Sequence, residues 1–190
     1  MKKPMKLGIA GLLALSLGFG SLHAFSSDGG EPAPDTEAET VEETTVVPDE
    51  VTFYGSESST ISSAVTIPAD TTLWYSSGSV PPELDPDGET VYERYGDTKQ
   101  QAIGILEQFE EDLEEEGLSL ADVTYLRVYI TPDEALDGEM DYTGWFEAYG
   151  EFFDNDSNPV KPARSTVGVA GLVNSDWLIE IEAVAAYPED

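Results

Sequence analysis

Hydrophobic positions recur along this chain with two different periods. Residues 51–54, 62–67 and 72–76 are short runs rich in Val, Thr, Ile, Phe, Trp and Tyr, which predicts three strands. The turn Pro68-Ala69-Asp70 separates the second from the third, and residues 81–88, dense in Pro, Asp and Gly, predict a loop. The period then changes. From Asp97, a capping residue, Ala102, Ile105, Leu106, Phe109 and Leu113 recur three and four apart, which predicts a helix to about Glu116, ended by Gly117. Residues 122–130, with Val123, Val128 and Ile130, predict a strand, and residues 131–139 a loop. Residues 140–153 predict a second helix, carrying Tyr142, Trp145, Phe146, Tyr149, Phe152 and Phe153. Two more strand runs, 162–169 and 177–184, close the chain. The order β-β-β-α-β-α-β-β predicts an α+β fold, a mixed β-sheet with two helices packed on one face. No second helical layer remains for the other face, so self-association is its expected cover.

The first fifty residues follow another pattern. Lys2, Lys3 and Lys6 precede an apolar run, residues 7–19, that is too short to span a bilayer comfortably. Leu22-His23-Ala24 is an acceptable cleavage site. Residues 1–24 are therefore expected to be a signal peptide cut near Ala24, giving a periplasmic or secreted protein with no membrane association after cleavage. Residues 25–50 are rich in Glu, Asp, Thr, Pro, Ser and Gly, the composition of a disordered acidic linker. Residues 51–190 suit one domain.

Charge and composition then remove whole classes of function. The chain carries 39 acids against 8 cations, a net charge of −31. Without residues 1–24, five cations face the same 39 acids, and the charge becomes −34. Nucleic acid and anionic lipid both need clustered cations, so neither is an expected partner. Cys is absent and the one His, His23, lies in the leader. Ser-His and Cys-His catalysis are excluded in the mature chain, and a zinc site is not expected. Asp154-Asn155-Asp156-Ser157-Asn158 resembles the start of a calcium loop but lacks the Gly and the spaced Glu, so it reads as an ordinary loop.

What chemistry remains concentrates in the closing strands. Arg164 lies alone between apolar residues on the first, and Glu180 and Glu182 alternate with Ile181 on the second. An arginine inside a strand of so acidic a chain suits the binding of a small carboxylate, because its planar fork matches that group. Arg164 and Thr166 share one strand face, and Glu180 and Glu182 share another. Other readings stand beside these. Arg164 could pair with an acid at a subunit interface, the two glutamates could be solvated, and Ser77-Gly78 could be a plain turn.

The run Pro162-Ala163-Arg164-Ser165-Thr166-Val167-Gly168-Val169-Ala170-Gly171-Leu172, followed by Ile179-Glu180-Ile181-Glu182-Ala183-Val184-Ala185, resembles the signature of the RidA (YjgF/YER057c/UK114) family. Ser62-Ser63-Ala64-Val65, Tyr75-Ser76-Ser77-Gly78-Ser79-Val80-Pro81, Asp97-Thr98-Lys99-Gln100-Gln101, Gly117-Leu118-Ser119-Leu120-Ala121-Asp122-Val123 and Tyr149-Gly150-Glu151-Phe152-Phe153 agree with it in order, over residues 51–187. The resemblance implies a chorismate-mutase-like fold and a homotrimer with sites in the clefts between subunits. It implies hydrolysis of reactive 2-imino or enamine acids to 2-keto acids and ammonia, with no cofactor. By the same resemblance Arg164 grips the substrate carboxylate, helped by the Ser77-Gly78 turn and lined by Thr166, and Glu180 orients the attacking water. The chain departs from the family at Ile61, where a tyrosine is common, at Phe146, where an asparagine is common, and at Ser79, where a glutamine is common. Residues 131–141 form a longer loop than usual. The alternative is a non-catalytic binder of small carboxylates on the same fold. A ribonuclease activity, sometimes attributed to the family, fits poorly with the charge.

Overall fold

A computed structural model describes residues 48–188. The expected signal peptide and residues 25–47 of the expected linker lie outside the described residues. Three short strands come first: β1 (Thr52–Tyr54), β2 (Ala64–Thr66) and β3 (Leu73–Tyr75). After them come α1 (Val91–Tyr95), α2 (Thr98–Glu115), β4 (Val123–Ile130), α3 (Tyr142–Phe152), β5 (Ala163–Gly168) and β6 (Ile179–Ala186).

The main sheet has the order β3-β6-β4-β5. Only β4 and β5 run parallel, so the sheet is mixed, as the alternation predicts. The first two strands do not join it. β1 and β2 pair with each other, and the second covers only half of the expected 62–67 because the run divides its partners. Ala64–Thr66 pairs with β1, while the Ser62 amide donates to the Lys161 carbonyl at 3.2 Å and bridges to Ala163 at the edge of β5.

Both long helices pack on one sheet face. The Asp97 carboxylate accepts the Gln100 amide, and the Gln100 side chain accepts the Asp97 amide, a reciprocal cap that starts α2. Ala102, Ile105, Leu106, Phe109 and Leu113 are all buried, as their spacing demands. Leu126, Val128 and Ile130 of β4, with Ile179, Ile181, Ala183 and Ala185 of β6, face them from the sheet. Burying a side chain such as Phe109 or Leu113 contributes roughly 1.5–3 kcal/mol. Gly117 closes α2 with a φ of +74°, a conformation that other residues rarely adopt. Among the described residues no helix is long and apolar enough to cross a membrane.

The alternate residues of β4, β5 and β6 form the opposite sheet face, which no described element covers. Tyr125, Arg127 and Tyr129 lie there beside Ser165, Val167, Glu180, Glu182 and Val184. Arg127 donates to Glu182 at 2.9 Å, Tyr129 donates to the other oxygen of Glu182 at 3.1 Å, and the Tyr125 and Ser165 hydroxyls meet at 2.9 Å.

Candidate functional site

Arg164 stands opposite Leu126 in the parallel ladder, and Thr166 opposite Val128. Both therefore face the helix layer, on a strand at the sheet edge. What Arg164 meets there is aromatic. Its guanidinium carbon lies 4.4 Å from the ring centre of Tyr149, 5.1 Å from Phe146 and 5.4 Å from Trp145, all on α3. The Trp145 indole N–H donates to the Thr166 hydroxyl at 3.3 Å, and the Tyr149 hydroxyl donates to the Thr60 carbonyl at 2.9 Å. Trp145 and Tyr149 are thus anchored beside the guanidinium.

The other four cations of the described chain each have a carboxylate. Arg94 pairs with Asp176, Lys99 with Glu147 and Glu151, Arg127 with Glu182, and Lys161 with Asp154. Arg164 pairs with no acid among the described residues, and its buried Nη1 has no hydrogen-bond partner. Burial pulls its pKa below the ordinary value, opposed by the Tyr149 hydroxyl. Burial in turn pushes the Tyr149 phenol up to about 12. A desolvated guanidinium without a counter-charge is a receptor for an anion.

Ser77, Gly78 and Glu180 form a second group. β3 pairs with β6 as far as Tyr75 and Val184. The Ser76 hydroxyl then takes the Ala183 amide at 2.8 Å, and pairing resumes at Ser79 and Ile181. One extra residue is accommodated, a bulge that pushes Ser77-Gly78 out of the ladder. Neither amide of that pair donates to an acceptor among the described residues. A Cβ at Gly78 would meet the flexible end of the Glu180 side chain, so glycine here leaves that carboxylate its place. Burial, and then the neighbouring Glu182, hold the Glu180 pKa above its ordinary value.

The two groups do not meet within one chain. Glu180 pairs with Tyr129 on the open sheet face, while Arg164 pairs with Leu126 on the helix face. Strands β6 and β5 are separated by β4, so two strand spacings, ~10 Å, divide them besides the change of face. The alternation of Arg164 and of Glu180 was legible in sequence, but their disposition relative to each other was not, since it depends on register across β4. Sequence reasoning also missed the aromatic surround. Trp145 and Tyr149 stand four apart, a sign that they share one helix face, but nothing local assigns that face to Arg164. Two clefts of the described chain lie elsewhere. One of about 480 Å³ sits between Tyr92, Asp133 and Asp176, and another of about 310 Å³ between Phe53, Thr71 and Tyr187. Among the described residues no three acidic or imidazole side chains converge as a metal would require.

Residues 60–187 match the family model described as Endoribonuclease L-PSP. A RutC family protein of Pyrococcus abyssi is 38% identical over 109 residues, 57% of this chain and 73% of that protein. The 3-aminoacrylate deaminase RutC of Acinetobacter baylyi is 36% identical over 111 residues, 58% of this chain and 76% of that enzyme. Among solved structures, a Rid-family protein of unknown function from Yersinia pestis shares the fold with a TM-score of 0.54 at 24% identity, covering 73% of this chain and 99% of its own. Sequence motif, family model and fold therefore agree: this chain belongs to the Endoribonuclease L-PSP family, which is the RidA (YjgF) family that its closing strands resemble.

Proposed function

We propose that this protein hydrolyses reactive 2-imino or enamine acids to 2-keto acids and ammonia, in clefts between the copies of a homotrimer. The observation that carries the reading is Arg164, a part-buried cation that no acid among the described residues neutralises. A relative bearing the name 3-aminoacrylate deaminase supports the reaction class. The fork of Arg164 receives the substrate carboxylate, and Thr166 flanks it. A neighbouring copy brings Ser77-Gly78 and Glu180, which the geometry of one chain keeps apart from its own Arg164. The free Gly78 amide adds a second donor to the carboxylate.

The chemistry asks little beyond this. Glu180 takes a proton from water as the water oxygen adds to the imine carbon. The C=N electron pair moves to nitrogen, which takes that proton from Glu180. In the resulting carbinolamine Glu180 takes the hydroxyl proton as a carbonyl forms and the C–N bond breaks, and that proton leaves with ammonia. One water is consumed, and one keto acid and one ammonia are produced. Export follows from residues 1–24, with cleavage near Ala24 and a periplasmic or secreted location. A net charge of −31 and four ion-paired cations speak against a phosphodiester substrate.

The test is ammonia and keto-acid release from 2-imino acids generated in situ. The wild type accelerates release and Arg164→Ala does not. Keto-acid affinity falls at least about thirtyfold in the variant, which is the ~2 kcal/mol lower end for truncating one partner of a desolvated pair. Assembly, read by light scattering, is unchanged. Tight keto-acid binding without turnover would instead favour a non-catalytic carboxylate binder. That second reading gains weight from the distance between Arg164 and Glu180 in a single chain.

A further inference from the structure

We infer that the Arg164 clamp selects 2-imino acids with apolar side chains, and that Phe146 is the residue that selects them. This rests on the deaminase reading above. A carboxylate held by the free edge of the guanidinium puts the substrate's own side chain within reach of whatever lines that edge. Here the lining is apolar. Phe146 lies 5.1 Å from the guanidinium and stays 49% exposed, an unspent aromatic surface beside a charged anchor. Ile61 follows Thr60, whose carbonyl holds the Tyr149 hydroxyl, and packs part-buried against the core.

On the Arg164 side of the cleft no described cation is free for a polar or acidic side chain. Lys161, the nearest other cation in sequence, is held by Asp154 at 3.1 Å and by the carbonyls of Glu57 and Ser59 at 3.0 and 2.9 Å. The Thr166 hydroxyl accepts the Trp145 N–H, and its own proton goes to the carboxylate that Arg164 holds. A second carboxylate would be desolvated against rings with no free cation, whereas an alkyl or benzyl group would bury area on Phe146.

The experiment is a series of 2-imino acids generated in situ, with methyl, isobutyl, benzyl and carboxymethyl side chains. It uses wild type and Phe146→Asn, with each variant's mass checked by light scattering. For the wild type, kcat/KM rises at least roughly tenfold from methyl to isobutyl or benzyl, the scale on which a hydrophobic pocket discriminates methylenes. Carboxymethyl is the poorest, and Phe146→Asn compresses the isobutyl-to-methyl ratio. Equal rates across the series, a preference for carboxymethyl, or a variant that keeps the wild-type ratio overturns the inference and leaves the deaminase reading standing. If nothing is turned over, calorimetry on the matching 2-keto acids decides. Affinity that rises with the apolar side chain keeps the selectivity and rejects only the reaction; a flat series rejects both.

Discussion

Glu180 is the residue whose protonation the proposed reaction depends on. Burial and Glu182 raise its pKa, so folding disfavours its charged form. The sign follows directly. The cost of holding the carboxylate charged is present above the raised pKa and is relieved as pH falls through it. Water activation needs the charged form, so kcat/KM is constant above the raised value and falls as pH drops through it, at a higher pH than an ordinary glutamate would give. Glu182→Gln removes the second cause and moves that limb to lower pH. Glu180→Gln abolishes the limb and lowers the rate by roughly 10²–10⁴-fold, the usual worth of a positioned acid-base group. A pH-rate profile that does not shift in Glu182→Gln would remove Glu180 from the mechanism. Gly78 offers a complementary check on the same carboxylate. Its substitution by Ala leaves the melting temperature almost unchanged, because the flexible end of Glu180 can move aside, yet turnover falls at least about tenfold once the carboxylate is displaced.

At the level of elements, the helical and strand patterns were legible, the three short strands included, and the one short helix, α1, was not. The burial of Ile105, Phe109 and Leu113 is visible from spacing alone, since eighteen helical residues give a stripe several turns long. α1 has five residues and buries none of them, so it leaves no stripe to read. Its signal was capping: the Thr90 hydroxyl accepts the Glu93 amide and the Glu93 side chain accepts the Thr90 amide, a Thr-x-x-Glu box beside the loop of residues 81–88. Strand pairing is likewise not a local property. The separation of β1 and β2 from the main sheet, and of Arg164 from Glu180, both come from register chosen across distant segments. Where capping is legible, it has a measurable value. Asp97→Ala removes the cap of α2 and costs about 1 kcal/mol, a fall of about 4 °C in Tm for a domain of this size. Asp97→Asn, which still accepts from the Gln100 amide, retains most of that stability in the same thermal melt.

At the level of the whole molecule, one chain carries two separated groups of candidate site residues and one bare sheet face. Glu180 and Glu182 lie on that face with Tyr129 and Val167, and Arg164 lies on the other face at the sheet edge. A head-to-tail ring joins unlike surfaces of successive copies, so it can bring the Arg164 edge of one to the Gly78-Glu180 bulge of the next. The consequence can be tested without knowing the ring's geometry. Arg164→Ala and Glu180→Gln are each inactive alone, because every cleft lacks one of its two groups. Mixed as equal parts, unfolded and reassembled together, they form hybrid rings. A cleft is complete when an Arg164 donor from the Glu180→Gln chain meets a Glu180 donor from the Arg164→Ala chain, which random assembly gives in about a quarter of clefts of a heterologous ring. Activity therefore returns to about a quarter of the wild-type rate. Sites built within one chain would give no recovery at any mixing ratio, because no copy would then hold both residues.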